Sequence, residues 1–127
     1  MNNQEIARTL FNAFMNGNND SATALCANNI GARQNGGPAM SLDMLLAFAE
    51  QVRSITNNFR YESIVCSDTG NGFVEEHNVC ATFKDGSEFL MPVCVVADIE
   101  DGKITRLSEY FDTRAAVKLA KALSMAN

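Results

Sequence analysis

The chain has no cluster of basic residues: its ten Lys and Arg are scattered, as at Lys84, Lys118 and Lys121, against fifteen Asp and Glu, for a net charge of −5. Nucleic acid and anionic membrane surfaces both need concentrated positive charge, so neither is expected as a partner. Long apolar runs are also missing, and Met1-Asn2-Asn3-Gln4-Glu5 carries no basic leader; no membrane span or signal peptide is expected, and the cytoplasm is the expected location. The four cysteines, Cys26, Cys66, Cys80 and Cys94, form no C-x-x-C pair and have no histidine at ligand spacing. That argues against a zinc site, and neither a metal nor a cofactor is expected. Gly36-Gly37 lacks the strand-to-helix phosphate motif, so no nucleotide loop is implied. What remains is 127 residues with 46% hydrophobic and 20% charged side chains, the profile of one folded globular domain over 1–127.

Helical periodicity dominates the first half. Asn2 with Glu5 resembles a capping box, and Ile6, Leu10 and Phe14 recur at helical spacing up to Gly17, which predicts a helix over 3–16. Asn18-Asn19-Asp20 caps a short helix over Ala22 to Cys26, ending at Asn28-Asn29, and an extended piece follows from Ile30 to Gln34. Asn35-Gly36-Gly37-Pro38 is a turn or loop. Ser41 then caps a third helix whose stripe Leu42, Leu45, Leu46, Ala49, Val52 runs to about Ile55.

From Phe59 the pattern is extended segments separated by turn residues, predicting strands over 60–67, 73–83, 88–99 and 103–111 in an antiparallel meander. Asp85-Gly86 and Asp101-Gly102 read as hairpin turns in which both central residues adopt left-handed geometry. The run from Phe89 to Ala97 is apolar on both faces and should be a central strand covered on each side, with Pro92 at a bulge or a missing ladder bond. A last helix opens at Asp112-Thr113 and carries Ala116, Leu119, Ala120 and Leu123. Helices, then a long curved sheet, then a closing helix describe an α+β architecture with a cavity at the wide end.

The stretch from Met91-Pro92-Val93 through Asp101-Gly102-Lys103-Ile104 to Glu109-Tyr110-Phe111-Asp112 resembles the closing hairpin of the nuclear-transport-factor-2-like superfamily, in its SnoaL-like and ketosteroid-isomerase-like branch. Ala27-Asn28-Asn29 stands where relatives have Ala-Asp-Asp, and Ala47-Phe48 sits in the third helix as theirs does. The resemblance implies a cone-shaped, curved, antiparallel or mixed sheet wrapped around the N-terminal helices, a cystatin-like α+β roll. It also implies a cavity for a small apolar organic ligand. Chemistry does not follow from the scaffold, which hosts isomerases, cyclases, epoxide hydrolases, dehydratases and non-catalytic proteins.

Two catalytic sets of the superfamily are missing. The base and oxyanion hole of ketosteroid isomerases fall here on Gln34, Leu10 and Val95, none of which can do that work. The Arg and one acid of limonene-epoxide hydrolases fall on Val93 and Val95, leaving only Glu109. If the last strand presents Leu107, Glu109 and Phe111 to the cavity, as in relatives, Glu109 becomes a general acid or base on an apolar wall; the competing role is a salt bridge to Arg106 or Arg114.

The preceding 73–83 strand has Val74, Glu76, Asn78, Cys80 and Thr82 on one pleat and Phe73, Glu75, His77, Val79, Ala81 and Phe83 on the other. Alignment to the family points the first set inward. The cavity then holds Glu76 as a second acid beside Glu109, with Asn78 and Gln34 as polar groups and Leu10, Phe14, Cys26, Phe48, Cys80, Met91, Val93, Val95, Leu107 and Phe111 as further lining. A one-residue slip swaps the sets and brings in His77 as the acid–base group. With the first set inward, the other pleat, with Phe73, Val79, Ala81 and Phe83, lies on the outer face and is expected to carry a homodimer interface, as relatives have, unless a loop or the last helix covers it. The expected function is a small-molecule pocket with proton-transfer chemistry of isomerase, cyclase or dehydratase type, or a non-catalytic binding or dimerisation module.

Overall fold

A computed structural model describes residues 1–126. Four helices, α1 (Asn3–Asn16), α2 (Asn19–Leu25), α3 (Leu42–Ser54) and α4 (Thr113–Met125), accompany five strands: β1 (Cys26–Gln34), β2 (Thr56–Asp68), β3 (Gly72–Phe83), β4 (Glu88–Glu100) and β5 (Lys103–Phe111). The sheet order is β1-β5-β4-β3-β2, with β1 parallel to β5 and every other pair antiparallel. This is the mixed α+β cone expected from the sequence.

The helix starts follow their capping side chains. Asn2 Oδ1 accepts the Glu5 N–H at 2.8 Å, Asn18 Oδ1 accepts that of Ser21 at 3.1 Å, and Ser41 Oγ accepts that of Met44 at 3.2 Å. Gly17 ends α1 in the left-handed conformation (φ 71°). The second helix begins three residues before its expected start, and Cys26 already belongs to a strand, because its pairing with Ile104 on β5 overrides the local helical preference. β2 starts at Thr56, four residues early, because Thr56 pairs with Phe83. Two register shifts interrupt β2, beside Asn58 (φ 54°) and Ser63 (φ 55°). Such bulges raise local twist, which curls this edge of the sheet around α1.

The concave face carries the core. Ile6, Ala7, Leu10 and Phe11 of α1 are buried there with Phe73, Val95, Ile104 and Leu107 from the strands, and α3 adds Leu45, Leu46 and Val52. Arg53 at the end of α3 donates to the Phe14 carbonyl at 2.6 Å, tying the two helices together. β4 is central, as expected, and Pro92 lies opposite Asn78 with no bulge there. The β4–β5 ladder begins only at Val93, so the N–H that proline lacks is not missed on that side. Among the described residues nothing fully covers the outer face of β4: Leu90 is 56% exposed and Pro92 is also exposed.

The hairpin between β3 and β4 corrects the expected pleat. A two-residue Asp-Gly turn would have paired Lys84 with Ser87 and set Glu76 opposite Val95. The loop is instead three residues, Lys84 to Gly86, closed by the Gly86 N–H to the Phe83 carbonyl (2.9 Å) and the Phe83 N–H to the Ser87 carbonyl (2.8 Å). Only Gly86 is left-handed (φ 90°), and Asp85 instead accepts from the Ser87 N–H (2.8 Å) and Oγ (2.7 Å). One extra loop residue moves Glu75, not Glu76, opposite Val95, so Phe73, Glu75, His77, Val79, Ala81 and Phe83 face the interior. The Asp101-Gly102 turn does have both residues left-handed (φ 51° and 75°), and a bulge between Asp98 and Ile99 restores the register that aligns Val95 with Glu109.

Candidate functional site

One row of side chains crosses the concave face: Gln34 on β1, Glu109 on β5, Val95 on β4, Glu75 on β3 and Cys66 on β2, each paired with the next. The neighbouring row holds Phe111, Val93 and His77, and the next holds Met91, Val79 and Tyr61. Two strand spacings, roughly 10 Å, separate the backbones of Glu109 and Glu75, with valines as the floor between them. Above that floor lies a cavity of about 280 Å³, bounded by Phe11 and Phe14 of α1, Leu45, Phe48, Ala49 and Val52 of α3, Phe59 and Tyr61 of β2, and His77, Val79, Met91, Glu109 and Phe111 of the other strands. Ala116, Leu119, Ala120 and Leu123 of α4 close one side. Lys118 steadies that helix by donating to the Glu88 carbonyl at 2.8 Å, with Nζ 5.5 Å from the centre of the Phe83 ring.

Of the residues expected to line the cavity, the structure brings together Phe14, Gln34, Phe48, Met91, Glu109 and Phe111. Leu10, Cys26, Val93, Val95 and Leu107 are buried in the core or beneath the floor, so they shape the cavity without lining it. Glu76, Asn78 and Cys80 lie on the outer pleat. Glu76 is exposed opposite Cys94, Asn78 is half-buried opposite Pro92, and Cys80 packs between Arg60 and Leu90. The three-residue hairpin loop is the reason, and it removes Glu76 from the candidate catalytic pair.

The slipped register brings in His77. It is 3% exposed, with Nδ1 2.6 Å from Glu75 Oε2, and Glu75 is itself 2% exposed. With the Glu75 carboxyl oxygen as acceptor, Nδ1–H donates and the ring lone pair lies on Nε2, the nitrogen then available to a ligand. Phe11 and Tyr61 clamp the imidazole at ring-centre distances of 4.8 and 4.6 Å. Adjacent residues of one pleat therefore satisfy each other's buried polar atoms, and no buried side-chain N or O among the described residues lacks a partner.

Glu109 is different. The two arginines expected to pair with it are engaged elsewhere: Arg106 donates to Asp98 at 2.7 Å, and Arg114 lies 3.8 Å from Asp112. Burial alone pushes the Glu109 carboxyl up to about 7, and the surface it keeps opens onto the cavity. Tyr61 is held protonated, first by burial and then by the negative charges of Glu109 and Glu75. Asn35 fixes the strand end that carries Glu109: its N–H donates to the Glu109 carbonyl (2.8 Å), and its side chain both accepts from the Phe111 N–H (2.9 Å) and donates to the Phe111 carbonyl (3.3 Å). Tyr61, Phe59, Glu75 and Asn35 were missed by sequence reasoning. The available signal was the weight of Phe73, Val79, Ala81 and Phe83 on the pleat that also holds Glu75 and His77.

Residues 7–107 match the SnoaL-like domain. The chain belongs to the SnoaL-like family. No curated protein matches the sequence. Among solved structures, this SnoaL-like chain is similar to IdmH from Streptomyces antibioticus, a candidate polyketide cyclase (TM-score 0.81, 14% identity, 95% of this chain and 99% of that one). It is also similar to a candidate polyketide cyclase from Pseudomonas putida (TM-score 0.79, 21% identity, 94% and 98%). A third is a ketosteroid-isomerase-like protein from Catenulispora acidiphila in complex with trimethylamine (TM-score 0.77, 14% identity, 93% of each chain). At these identities the likeness establishes the fold, and no helix among the described residues is long and apolar enough to cross a membrane.

Proposed function

We propose that this SnoaL-like protein binds a compact, uncharged, largely apolar organic molecule and moves a proton on it, in the manner of an isomerase, cyclase or dehydratase. The observation that carries this reading is an unpaired carboxyl raised to about 7 by burial, facing the same apolar cavity as a histidine oriented by a buried carboxylate. His77 Nε2 is the base: it takes a proton from a carbon beside a carbonyl, and the electron pair moves onto the carbonyl oxygen. The protonated Tyr61 hydroxyl donates a hydrogen bond to that oxygen, and Glu109, about half protonated at neutral pH, delivers a proton to a second position. Gln34, beside Glu109 on the neighbouring strand, orients the ligand's polar group. No Lys or Arg lines the cavity, so a carboxylate or phosphate ligand would meet uncompensated desolvation there. The cyclase and isomerase neighbours favour this class of reaction without specifying a substrate.

Native mass spectrometry of freshly purified protein tests the receptacle directly, since a retained small molecule supports it. With a ligand in hand, Glu109→Gln and His77→Gln should each abolish turnover while preserving binding; unchanged turnover in either removes that residue from the mechanism.

A second reading, a dimerisation module, is favoured by the outer sheet face, where Leu90 (56% exposed) and Tyr110 (49%) flank Pro92 and the half-buried Cys94 and Val96. We infer a homodimer through this patch, in place of the Phe73–Phe83 pleat expected from the sequence. The two readings are compatible, because the cavity lies on the opposite face.

A further inference from the structure

Glu75 has a second neighbour besides His77. Its inner side looks into another chamber, of about 520 Å³, between α1 and β2, lined by Gln4, Arg8, Asn12, Ile64 and Cys66. Four of these residues are exposed, so this chamber opens to solvent, and its volume and polar lining are sufficient for water. Phe11 and Tyr61 line both chambers, and their rings, 5.4 Å apart, form the partition. The Glu75–His77 hydrogen bond crosses that partition: the carboxylate belongs to the solvent side and the imidazole to the ligand cavity. Cys66, paired directly opposite Glu75 on β2, extends the polar chain on the solvent side.

We propose that Glu75 and His77 carry proton equivalents through this partition, so that the buried imidazole exchanges protons with solvent by way of the α1–β2 chamber and not through the ligand cavity. The proposal rests on the reading of the cavity as a proton-transfer site and adds to it a separate solvent connection. In the forward step the ligand C–H bond breaks and its electron pair stays on the ligand, while an N–H bond forms at Nε2. The Nδ1–H bond then breaks, its electron pair remaining on nitrogen, and its proton passes to Glu75 and on to water in the chamber. The imidazole thereby holds no net positive charge in the apolar cavity, and the return step runs the same bonds in reverse. Glu75 is a positioning and relay residue; His77 is the group that meets the ligand.

The test needs no substrate. Solvent exchange of the His77 Nδ1 proton is followed by NMR in the intact protein and in variants that fill one chamber or the other. Asn12→Phe and Cys66→Leu, which narrow the solvent chamber, should slow exchange at least about tenfold, whereas Ala120→Phe at the ligand cavity should change it less than about twofold. Glu75→Gln, which keeps the shape but carries no proton, should slow exchange as well. If a filling variant fails to fold, methylthiolation of Cys66 in the folded wild-type protein narrows the same chamber. Exchange unaffected by narrowing the chamber, or slowed equally by Ala120→Phe, overturns the proposal. Slowed exchange in a protein that retains no small molecule in native mass spectrometry would instead count against the receptacle reading and leave the solvent connection standing.

Discussion

Replacing Glu109 by glutamine should stabilise the protein, and by an amount that grows with pH. The folded carboxyl titrates near 7 against an ordinary value of 4.5, because burial disfavours its charged form and no cation offsets the loss of water. A raised carboxyl pKa means that the folded state binds the proton more tightly than the unfolded state. Below about pH 4.5 both states are protonated and the group is neutral towards stability. Between 4.5 and 7 the unfolded chain ionises first and stability falls as pH rises, and above 7 the full penalty applies, about 3 kcal/mol for a shift of this size. Glutamine copies the shape of the protonated acid and cannot ionise, so Glu109→Gln should gain less than about 1 kcal/mol at pH 5 and about 3 kcal/mol at pH 8.5. For a chain of this length that is a rise in Tm of about 10 °C at the higher pH. Urea unfolding of both proteins at the two pH values measures the difference. A salt-bridged Glu109 would give the opposite sign, since glutamine would then destabilise at neutral pH. A gain equal at both pH values, or a loss at pH 8.5, refutes the account of an unpaired carboxyl in an apolar wall.

The remaining predictions concern the frame that holds the site. A Cβ on Gly72 would lie 1.9 Å from the Ala97 backbone oxygen, so Gly72→Ala should destabilise by at least about 3 kcal/mol in chemical denaturation, and near-wild-type stability would contradict the close approach of β3 to β4. Replacing Lys84-Asp85-Gly86 by a two-residue Asn-Gly turn would force Phe73, Val79 and Phe83 outward. At about 1.5–3 kcal/mol for each large side chain exposed, this should leave no dispersed NMR spectrum; a folded protein with His77 still buried would show that the loop does not set the register. Leu90→Glu on the outer face should shift sedimentation from dimer to monomer with little change in unfolding midpoint, and a wild-type protein that is already monomeric at high concentration would discard the dimer.

Local chemistry fixed what could be decided within one segment. Helix α1 was legible to the residue because Asn2, the Ile6-Leu10-Phe14 stripe and Gly17 act within a few turns of each other. The inward set of β5, Leu107, Glu109 and Phe111, came from the family resemblance; Glu109 and Phe111 line the cavity and Leu107 lies buried beneath it. The composition of the site, however, depended on parity: whether Glu75 or Glu76 faces inward was settled by a single residue in the loop from Lys84 to Gly86, and a dipeptide compatible with two loop lengths does not reveal which one forms. The bulges at Asn58 and Ser63, between which Tyr61 packs against His77, are likewise a property of how β2 pairs with β3 and not of a local motif. The sequence thus determined the elements, and its family resemblance put Glu109 on the cavity wall. Only the tertiary pairing decided that His77, backed by Glu75, rather than Glu76 and Asn78, shares that wall, because strand register is a long-range property in which one residue inverts every side chain.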